Sequence, residues 1–268
     1  MSFVEVSRPR SQVALVTLNR PERMNAMAFD VMVPLRQALH EVSLDNSVRV
    51  VVITGAGSGF CSGADLEDPG RIPNIEGLTR PAIALRSMEL LDDVIRQLRA
   101  MHQPVLAAVN GPAIGGGFCL AMAADIRLAA TTAIFRAAGV NNGLTSSELG
   151  ISYLLPRAIG SSRAFEIMLT GRDVGAEEAE RIGLVSQVVP DEGALLEECY
   201  TMAERIIGLS RVGIELTKRL LWSSLDASSL LAHMDHEGTT QLFVRLTTQN
   251  FEEAVRARKE KRPPVFED

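Results

Sequence analysis

Two glycine-rich turns mark the part of the sequence whose residue types could do chemistry. The stretches VVVITGAGSGFCSGADL (50–66) and VLAAVNGPAIGGGFCLAMAADI (105–126) each run from a β-branched segment into a turn and then into an apolar segment. Glycine permits positive φ and close approach of the backbone, so either turn could present bare N–H groups to a ligand. The second turn opens a predicted helix, whose first amides lack partners inside the helix.

Other interpretations of the first turn remain open at this point. Gly55, Gly57 and Gly59 form GxGxG, one position off the dinucleotide fingerprint, and no well-placed acidic residue ends a second strand. A P-loop would need GK[ST], which is missing. Residues 59–63, GFCSG, have the GxCxG form of a nucleophile elbow, but nothing marks a base for Cys61 among His40, His102, His233 and His236. The glycines of the second turn could also serve tight packing alone.

The elements around these turns alternate between strand and helix, which predicts an α/β fold. The predicted strands are Val13–Leu18, Val48–Thr54, Val105–Asn110, Ile126–Ala130 and Leu184–Val189, and the longer helical patterns between them are Ala28–Val42 and Ala84–Met101. Residues 67–81, EDPGRIPNIEGLTRP, are predicted to be a loop, and long loops in compact domains are often functional.

From Asp191 onward the pattern becomes helical. Four helices are predicted, Glu192–Leu209, Val212–Leu225, Leu230–Leu246 and Phe251–Lys261. This change predicts a core over residues 1–200 and a C-terminal helical region over residues 201–268.

Composition narrows the class of protein. The 268 residues are 46% apolar and carry a net charge of −6, so neither nucleic acid nor an anionic membrane is an expected partner. The three cysteines are widely spaced without a CxxC pair, which predicts neither a disulfide framework nor a zinc site. No targeting segment and no long apolar run is evident, so we expect a soluble, cytoplasmic protein without a metal.

Five ordered motifs together resemble the crotonase, or enoyl-CoA hydratase/isomerase, superfamily. They are LNRPERMNAM (18–27), GSGFCSGADL (57–66), NGPAIGGGFCLAMAADIRLA (110–129), SYLLPRAIGSSRAFEIMLTGRDVGAEEAERIGLVSQVV (152–189) and EKRPPVF (260–266). The resemblance implies a ββα-superhelix core with a C-terminal helical region that packs trimers, often paired into hexamers. It also implies an acyl-CoA thioester as the ligand, with no cofactor beyond the coenzyme A of the substrate.

In this family two backbone amides form an oxyanion hole, and by resemblance they belong here to Ala64 and Gly116. An enolate oxygen that develops on the thioester needs two preorganised N–H donors, and losing one such donor typically costs about 3 kcal/mol in barrier. A side chain on the glycine turn would obstruct the oxygen.

The resemblance breaks at the two glutamates that hydratases of this family use to position water. On that spacing the residues here are Cys119 and Gly139, and neither can do the work of a carboxylate. A third family position, which carries the acid in some isomerases, falls on Glu148 when counted back from Gly160, or on Ser147 when counted forward from Phe135. We favour Glu148 because only Glu148 can titrate.

Three functions follow as expectations. The first is an isomerase-like proton transfer with Glu148 as acid and base, which needs one carboxylate in an apolar pocket and no water. The second is hydration through Glu148 or through an acid from the loop 67–81. The third is non-catalytic binding of acyl-CoA. A structural alternative for Glu148 is a capping box with Thr145, in which Glu148 reaches back to the first amide of a helix.

Contacts to coenzyme A are implied by resemblance. Lys261 of the basic tail is expected to reach the phosphate region, often from a neighbouring subunit, with Phe243 nearby. On the N-terminal side the expected contacts are Arg23, Ala26, Ala64, Asp65 and Leu66. Asp65 is also expected to cap its turn, Glu67 and Asp68 to lie on a solvated loop, and Cys119 to pack as a small hydrophobe.

Overall fold

Six strands form one mixed sheet in the computed structural model, which describes residues 2–267. In spatial order they are β1 (Val4–Arg10), β2 (Val13–Leu18), β3 (Val50–Gly55), β4 (Val105–Val109), β6 (Ile126–Ala130) and β9 (Gln187–Val189). β1 runs antiparallel to β2, and every other neighbouring pair is parallel. The side chains of β3 are buried along its whole length, as expected for a parallel strand that is covered on both faces.

Helices cover both faces of this sheet. Val51 and Ile53 belong to the larger apolar cluster, which takes in residues of α1 (Phe29–Leu44), α2 (Arg80–Ala100) and α3 (Gly116–Ala123). Val50 and Val52 belong to a second cluster, which takes in the buried face of α7 (Glu192–Ile207). The alternation of side chains along β3 therefore divides the core into two layers.

A small sheet connects the second glycine turn with a later loop. It contains β5 (Ala113–Ile114), β7 (Ile134–Arg136) and β8 (Val174–Gly175), with β5 and β7 parallel. Ile114 pairs with Arg136, and the Gly115 N–H donates to the Arg136 carbonyl at 2.8 Å. The chain that leaves β5 therefore starts beside the chain that leaves β7. Residues 137–150 form that second chain and lead into α4 (Ile151–Ile159), which is followed by α5 (Ser161–Thr170) and α6 (Ala176–Arg181).

The C-terminal helices are α8 (Arg211–Ser224), α9 (Leu230–Thr247) and α10 (Asn250–Glu260). A buried ion pair between Lys218 Nζ and Asp125 Oδ2, 2.9 Å apart, joins α8 to the start of β6. Trp222 Nε1 donates to the other oxygen of Asp125. By contrast, α9 has no buried residue in the described part of the chain, and its exposed apolar side chains include Leu230, Leu231, Met234, Leu242, Phe243 and Leu246.

Most predicted elements are present, with four differences. α2 begins at Arg80 rather than Ala84, because Pro81 fits the first turn of a helix and does not end the loop. β9 begins only at Gln187, since Leu184 still closes the turn that leaves α6 by bonding to the Ala179 carbonyl. The hairpin strand β1 and the small sheet were not predicted.

The fourth difference concerns the domain boundary. The predicted boundary at residue 200 falls inside α7, which packs on the large sheet, and Trp222 of α8 also packs against the core. Between Ser2 and Glu267 no helix combines the length and apolar character needed to span a bilayer.

Candidate functional site

Two turns that follow β3 and β4 pack against each other, and each carries one of the predicted backbone amides. Gly63 has φ +84°, and a Cβ on Gly63 would lie 3.5 Å from the Gly116 nitrogen, so the turn before Ala64 packs directly against the start of α3. Met27 pairs with this turn through Gly63 O and Asp65 N, which leaves the Ala64 N–H out of the pairing. Within residues 2–267 neither the Ala64 nor the Gly116 N–H has a hydrogen-bond acceptor. Both amides are therefore available to an oxygen atom of a ligand.

Close packing explains why the second turn has three glycines. Gly115 adopts φ +50°, in the left-handed region that favours glycine. A Cβ on Gly116 would lie 2.4 Å from Met27 Sδ, and one on Gly117 would lie 2.0 Å from the Cys61 carbonyl oxygen. The main chain of one turn thus rests on the main chain of the other. The three glycines therefore account both for the close packing of the two turns and for the open approach to the Gly116 N–H.

We expect Gly117→Ala to destabilise the protein because the new methyl group would have to displace the backbone at Cys61. Overpacking of this kind costs about 1–3 kcal/mol in the free energy of unfolding. Gly238→Ala in α9 is the matched control, because nothing lies within 4 Å of its added Cβ. That change should stabilise the helix by about 0.5–1 kcal/mol. Urea unfolding of both variants measures the difference, and equal stabilities would contradict the packing argument.

Glu148 lies beside the same turn. Its Oε1 is 3.5 Å from the place where a Cβ on Gly115 would be, and the Ala138 Cβ is 3.9 Å from that place. The side chain is half-buried, and this burial raises the pKa of the Glu148 carboxyl above its usual range. In the described part of the chain the carboxyl group has neither a hydrogen bond nor an ion pair. It is therefore placed to exchange a proton with a ligand near the two amides.

The capping-box alternative for Glu148 is wrong. α4 begins at Ile151, and its N-cap is Gly150 with φ +83° and no side-chain cap. The Thr145 hydroxyl reaches only the Ser147 carbonyl, at 3.5 Å. Ser147 itself is exposed and cannot titrate. Glu148 thus precedes the helix and does not cap it.

Neither Cys119 nor Gly139 supplies a carboxylate, and a side chain at Gly139 would require the main chain of this loop to shift. A Cβ on Gly139 would lie 1.8 Å from the Thr145 carbonyl oxygen. Cys119 is buried, with its Sγ 3.5 Å from the Glu148 carbonyl oxygen. Burial raises the pKa of the Cys119 thiol well above its usual range, so the thiol is neutral. Its packing as a small hydrophobe agrees with the sequence-based expectation.

A cysteine nucleophile at Cys61 is not supported. The side chain is fully buried, and burial raises the pKa of the Cys61 thiol to about 12. Only the thiolate is a nucleophile, and a thiol of this pKa is not ionised near neutral pH. Among residues 2–267 there is also no cluster of three His, Cys, Asp or Glu side chains able to hold a metal ion.

A shallow groove outside the amides collects the N-terminal residues that were predicted to contact coenzyme A. Its volume is about 310 Å³, and its lining includes Arg23, Ala26, Ala64, Asp65 and Leu66. Leu66 is 77% exposed, so the groove has an apolar rim that faces solvent.

Asp65 fixes the turn that forms one side of this groove. Its Oδ1 accepts hydrogen bonds from the Glu67 and Asp68 backbone amides at 3.0 and 2.9 Å, which makes it the cap of its turn. Arg23 and Arg20 also form ion pairs with the Asp65 carboxylate, at 2.6 and 3.0 Å. The Arg23 hydrogen bond, followed by those from the Asp68 and Glu67 amides, holds the pKa of Asp65 well below its usual range. The carboxylate is therefore committed to the turn, while Glu67 and Asp68 remain largely exposed.

Phe243 and Lys261 do not line this groove. Phe243 lies on the exposed surface of α9, and Lys261 ends α10 with φ +56°. The tail beyond Lys261 is held by the buried Glu253, whose carboxylate accepts from the Arg262 side chain and from the Val265 amide. These two predicted residues are therefore exposed and lie outside the groove lining.

Two neighbours of the site were not predicted from the sequence. Met27 Sδ packs over Gly116, and Leu149 Cδ1 lies 3.5 Å from the position of a Gly116 Cβ. Leu149 also adopts φ +47°, a left-handed conformation that is strained for leucine and that clusters at functional sites. For Met27 the sequence offers a signal, since NAM (25–27) ends the motif LNRPERMNAM (18–27). For Leu149 it offers none.

Similarity to known proteins extends over nearly the whole chain. The model of the enoyl-CoA hydratase/isomerase family matches residues 8–268. The protein named probable enoyl-CoA hydratase echA12 of Mycobacterium bovis is 72% identical over 268 residues, which are 100% of this chain and 94% of that protein. A crystal structure of a probable enoyl-CoA hydratase/isomerase from Mycobacterium abscessus is 69% identical with a TM-score of 0.95, covering 99% of this chain and 98% of that one.

A third similar protein carries a different name. The crystal structure of a monofunctional enoyl-CoA isomerase from Mycobacterium smegmatis is 62% identical with a TM-score of 0.75, and the match covers 87% of this chain and 99% of that one.

Proposed function

Because the chain belongs to the enoyl-CoA hydratase/isomerase family, which acts on acyl-CoA thioesters, we propose that it moves the double bond of an enoyl-CoA by a proton transfer. The observation that carries this proposal is the single Glu148 carboxyl beside Gly115, in a site where Cys119 and Gly139 replace the family's two glutamates. One carboxylate is enough to move a proton between two carbon atoms. Positioning a water molecule and shuttling its proton uses two in this family.

The proposed reaction begins with the thioester oxygen between the Ala64 and Gly116 N–H groups. The Glu148 carboxylate removes a proton from Cα of a 3-enoyl-CoA, and the electron pair of that C–H bond delocalises into a dienolate. The negative charge on oxygen is stabilised by the two amides, each worth about 3 kcal/mol of barrier. Glu148 then returns the proton to Cγ, which leaves a 2-enoyl-CoA with no net change in protons or electrons.

The names of similar proteins support two versions of this chemistry. The isomerase name of the Mycobacterium smegmatis protein favours double-bond migration. The hydratase name of the Mycobacterium bovis protein favours a second candidate, hydration of a 2-enoyl-CoA with Glu148 as the acid and base. The absence of a carboxylate at Cys119 and Gly139 makes isomerisation the better supported of the two.

Deuterium incorporation tests the proposal directly. Incubating the protein with a 3-enoyl-CoA in D₂O should place deuterium at Cα and Cγ and form the 2-enoyl-CoA, as measured by mass spectrometry. Formation of 3-hydroxyacyl-CoA from a 2-enoyl-CoA would instead establish hydration. Binding of both thioesters without exchange or product would contradict both reactions and indicate a binding protein.

The pH dependence of the rate follows from the raised pKa of Glu148. The base must be deprotonated, so kcat/KM should rise with pH through the Glu148 pKa and then level off. Since burial raises that pKa, the half-maximal rate should fall above the ordinary glutamate value of about 4.3. A pH–rate profile measures it. A rate that stays constant down to the ordinary value would show that Glu148 is not the base.

We propose further that coenzyme A lies along the groove at Arg23 and Leu66, with Lys261 and Phe243 contributed by a neighbouring copy. The support is that these two residues are exposed and do not line the groove of their own chain. The apolar surface of α9 is the proposed contact between copies, in a trimer or hexamer. Sedimentation velocity should show assembly that is weakened by Leu242→Glu, and a monomeric wild type would contradict the proposal.

A further inference from the structure

The loop that carries Glu148 is closed at its base by one buried hydroxyl group. Ser146 Oγ donates to the Ala137 carbonyl at 2.7 Å and accepts from the Val140 N–H at 3.1 Å. Residues 140–145 of this loop are exposed, whereas Ser146 is only 6% exposed. The hydroxyl therefore ties residue 146 to the chain that leaves β7.

The contacts beyond Ser146 fix the remaining end of the loop. The Glu148 carbonyl accepts from the Ile151 N–H at 3.0 Å and lies 3.5 Å from the Cys119 thiol. Leu149, with its strained φ of +47°, then packs toward Gly116. Glu148 is thus held from one side by α3 and α4, and from the other by the segment that ends at Ser146. The Glu148 side chain itself has no hydrogen bond in the described structure that could hold it in place.

We propose that Ser146 is a positioning residue for Glu148: by closing the base of the loop 137–150, its hydroxyl holds the carboxyl group beside the two amides. This inference rests on the proposed function of Glu148. Without the hydroxyl, the Val140 N–H can still bond to water because Val140 is exposed, whereas the carbonyl of the buried Ala137 loses this donor. The loop should then remain folded but occupy a wider range of positions. The Glu148 carboxyl group would then spend less time next to the reacting carbon.

The test compares Ser146→Ala with Ser147→Ala, a matched control in the same loop. The Ser147 side chain is exposed and forms no hydrogen bond in the described structure. With a 3-enoyl-CoA we expect Ser146→Ala to lower kcat by about 10- to 100-fold, the typical effect of a small misplacement of a catalytic group, while KM stays unchanged. Ser147→Ala should match the wild type. The acid limb of the pH–rate profile of Ser146→Ala should also move to lower pH, because a loosened loop exposes Glu148 to water.

The melting temperature and the stoichiometry of thioester binding are also measured for Ser146→Ala. They distinguish a displaced Glu148 from a smaller fraction of folded protein. A lower stoichiometry with unchanged kcat per bound site would overturn the inference and leave Ser146 a purely structural residue. Ser146→Thr keeps the hydroxyl group, and recovery of kcat in that variant would support positioning if Ser146→Ala folds poorly. Failure of the proposed function has a different signature, in which Glu148→Gln retains the wild-type rate.

Discussion

Replacing Glu148 by glutamine is expected to lower kcat for isomerisation by about 10²- to 10⁴-fold, because general acid–base catalysis by a positioned side chain contributes that much. Glutamine keeps the shape of the side chain and removes its ability to accept and return a proton. KM should change little, since in the proposed mechanism the amides and the groove bind the thioester. Initial rates with a 3-enoyl-CoA and deuterium exchange at Cα measure the loss.

Stability is the first control for this variant. The folded state raises the pKa of Glu148, so it favours the protonated form and is penalised once the carboxyl ionises as pH rises through that pKa. Glu148→Gln should therefore be at least as stable as the wild type near neutral pH. Glu76→Gln, in the exposed loop 67–81, is the second control and should keep full activity. Loss of activity in Glu76→Gln but not in Glu148→Gln would indicate that the catalytic acid lies in that loop.

The second large effect is expected when the amide of Ala64 is removed. Ala64→Pro deletes one N–H donor, and loss of one such donor in an oxyanion hole lowers kcat by about 10²- to 10³-fold. Because this N–H bonds to no acceptor within residues 2–267, its removal breaks no hydrogen bond of the folded protein. The melting temperature of Ala64→Pro measures separately whether the turn accepts the proline ring. Ala64→Ser keeps the amide and should keep the rate.

Binding distinguishes this effect from a distorted turn. A thioester that binds Ala64→Pro as tightly as the wild type but turns over slowly indicates a lost transition-state contact. A folded Ala64→Pro with the full wild-type rate would remove the Ala64 amide from the mechanism.

The sequence predicted the two turns better than it predicted the loop of Glu148. Glycine positions next to buried strands are strong local signals, and the structure packs the turn before Ala64 against the start of α3. Counting along residues 135–160 left Glu148 and Ser147 open, and the local pattern Thr145–Glu148 also fits a helix cap. The structure departs from that pattern because Leu149 and Gly150 both adopt positive φ, which delays the helix to Ile151.

The sequence did not predict the contacts that depend on the path of a loop. Nothing in the spacing indicates that the Gly139 main chain rests on Thr145, that Ser146 bonds back to Ala137, or that Arg20 and Arg23 share Asp65. Each of these depends on the path of a loop, and loop paths are fixed by many weak interactions that no short motif encodes. Helices and strands were predictable to within a few residues because a repeating pattern of apolar residues specifies them. No such pattern specifies the path of a loop.

The contact between Gly139 and Thr145 limits how this protein could change its reaction during evolution. A Cβ 1.8 Å from a carbonyl oxygen cannot be accommodated by rotating a side chain, so no single codon change at Gly139 yields a usable carboxylate there. The main chain at Thr145 would first have to move. Glu148 follows Thr145 in the same loop, so a change that makes room for a carboxylate at residue 139 also acts on the position of the acid that this chain has.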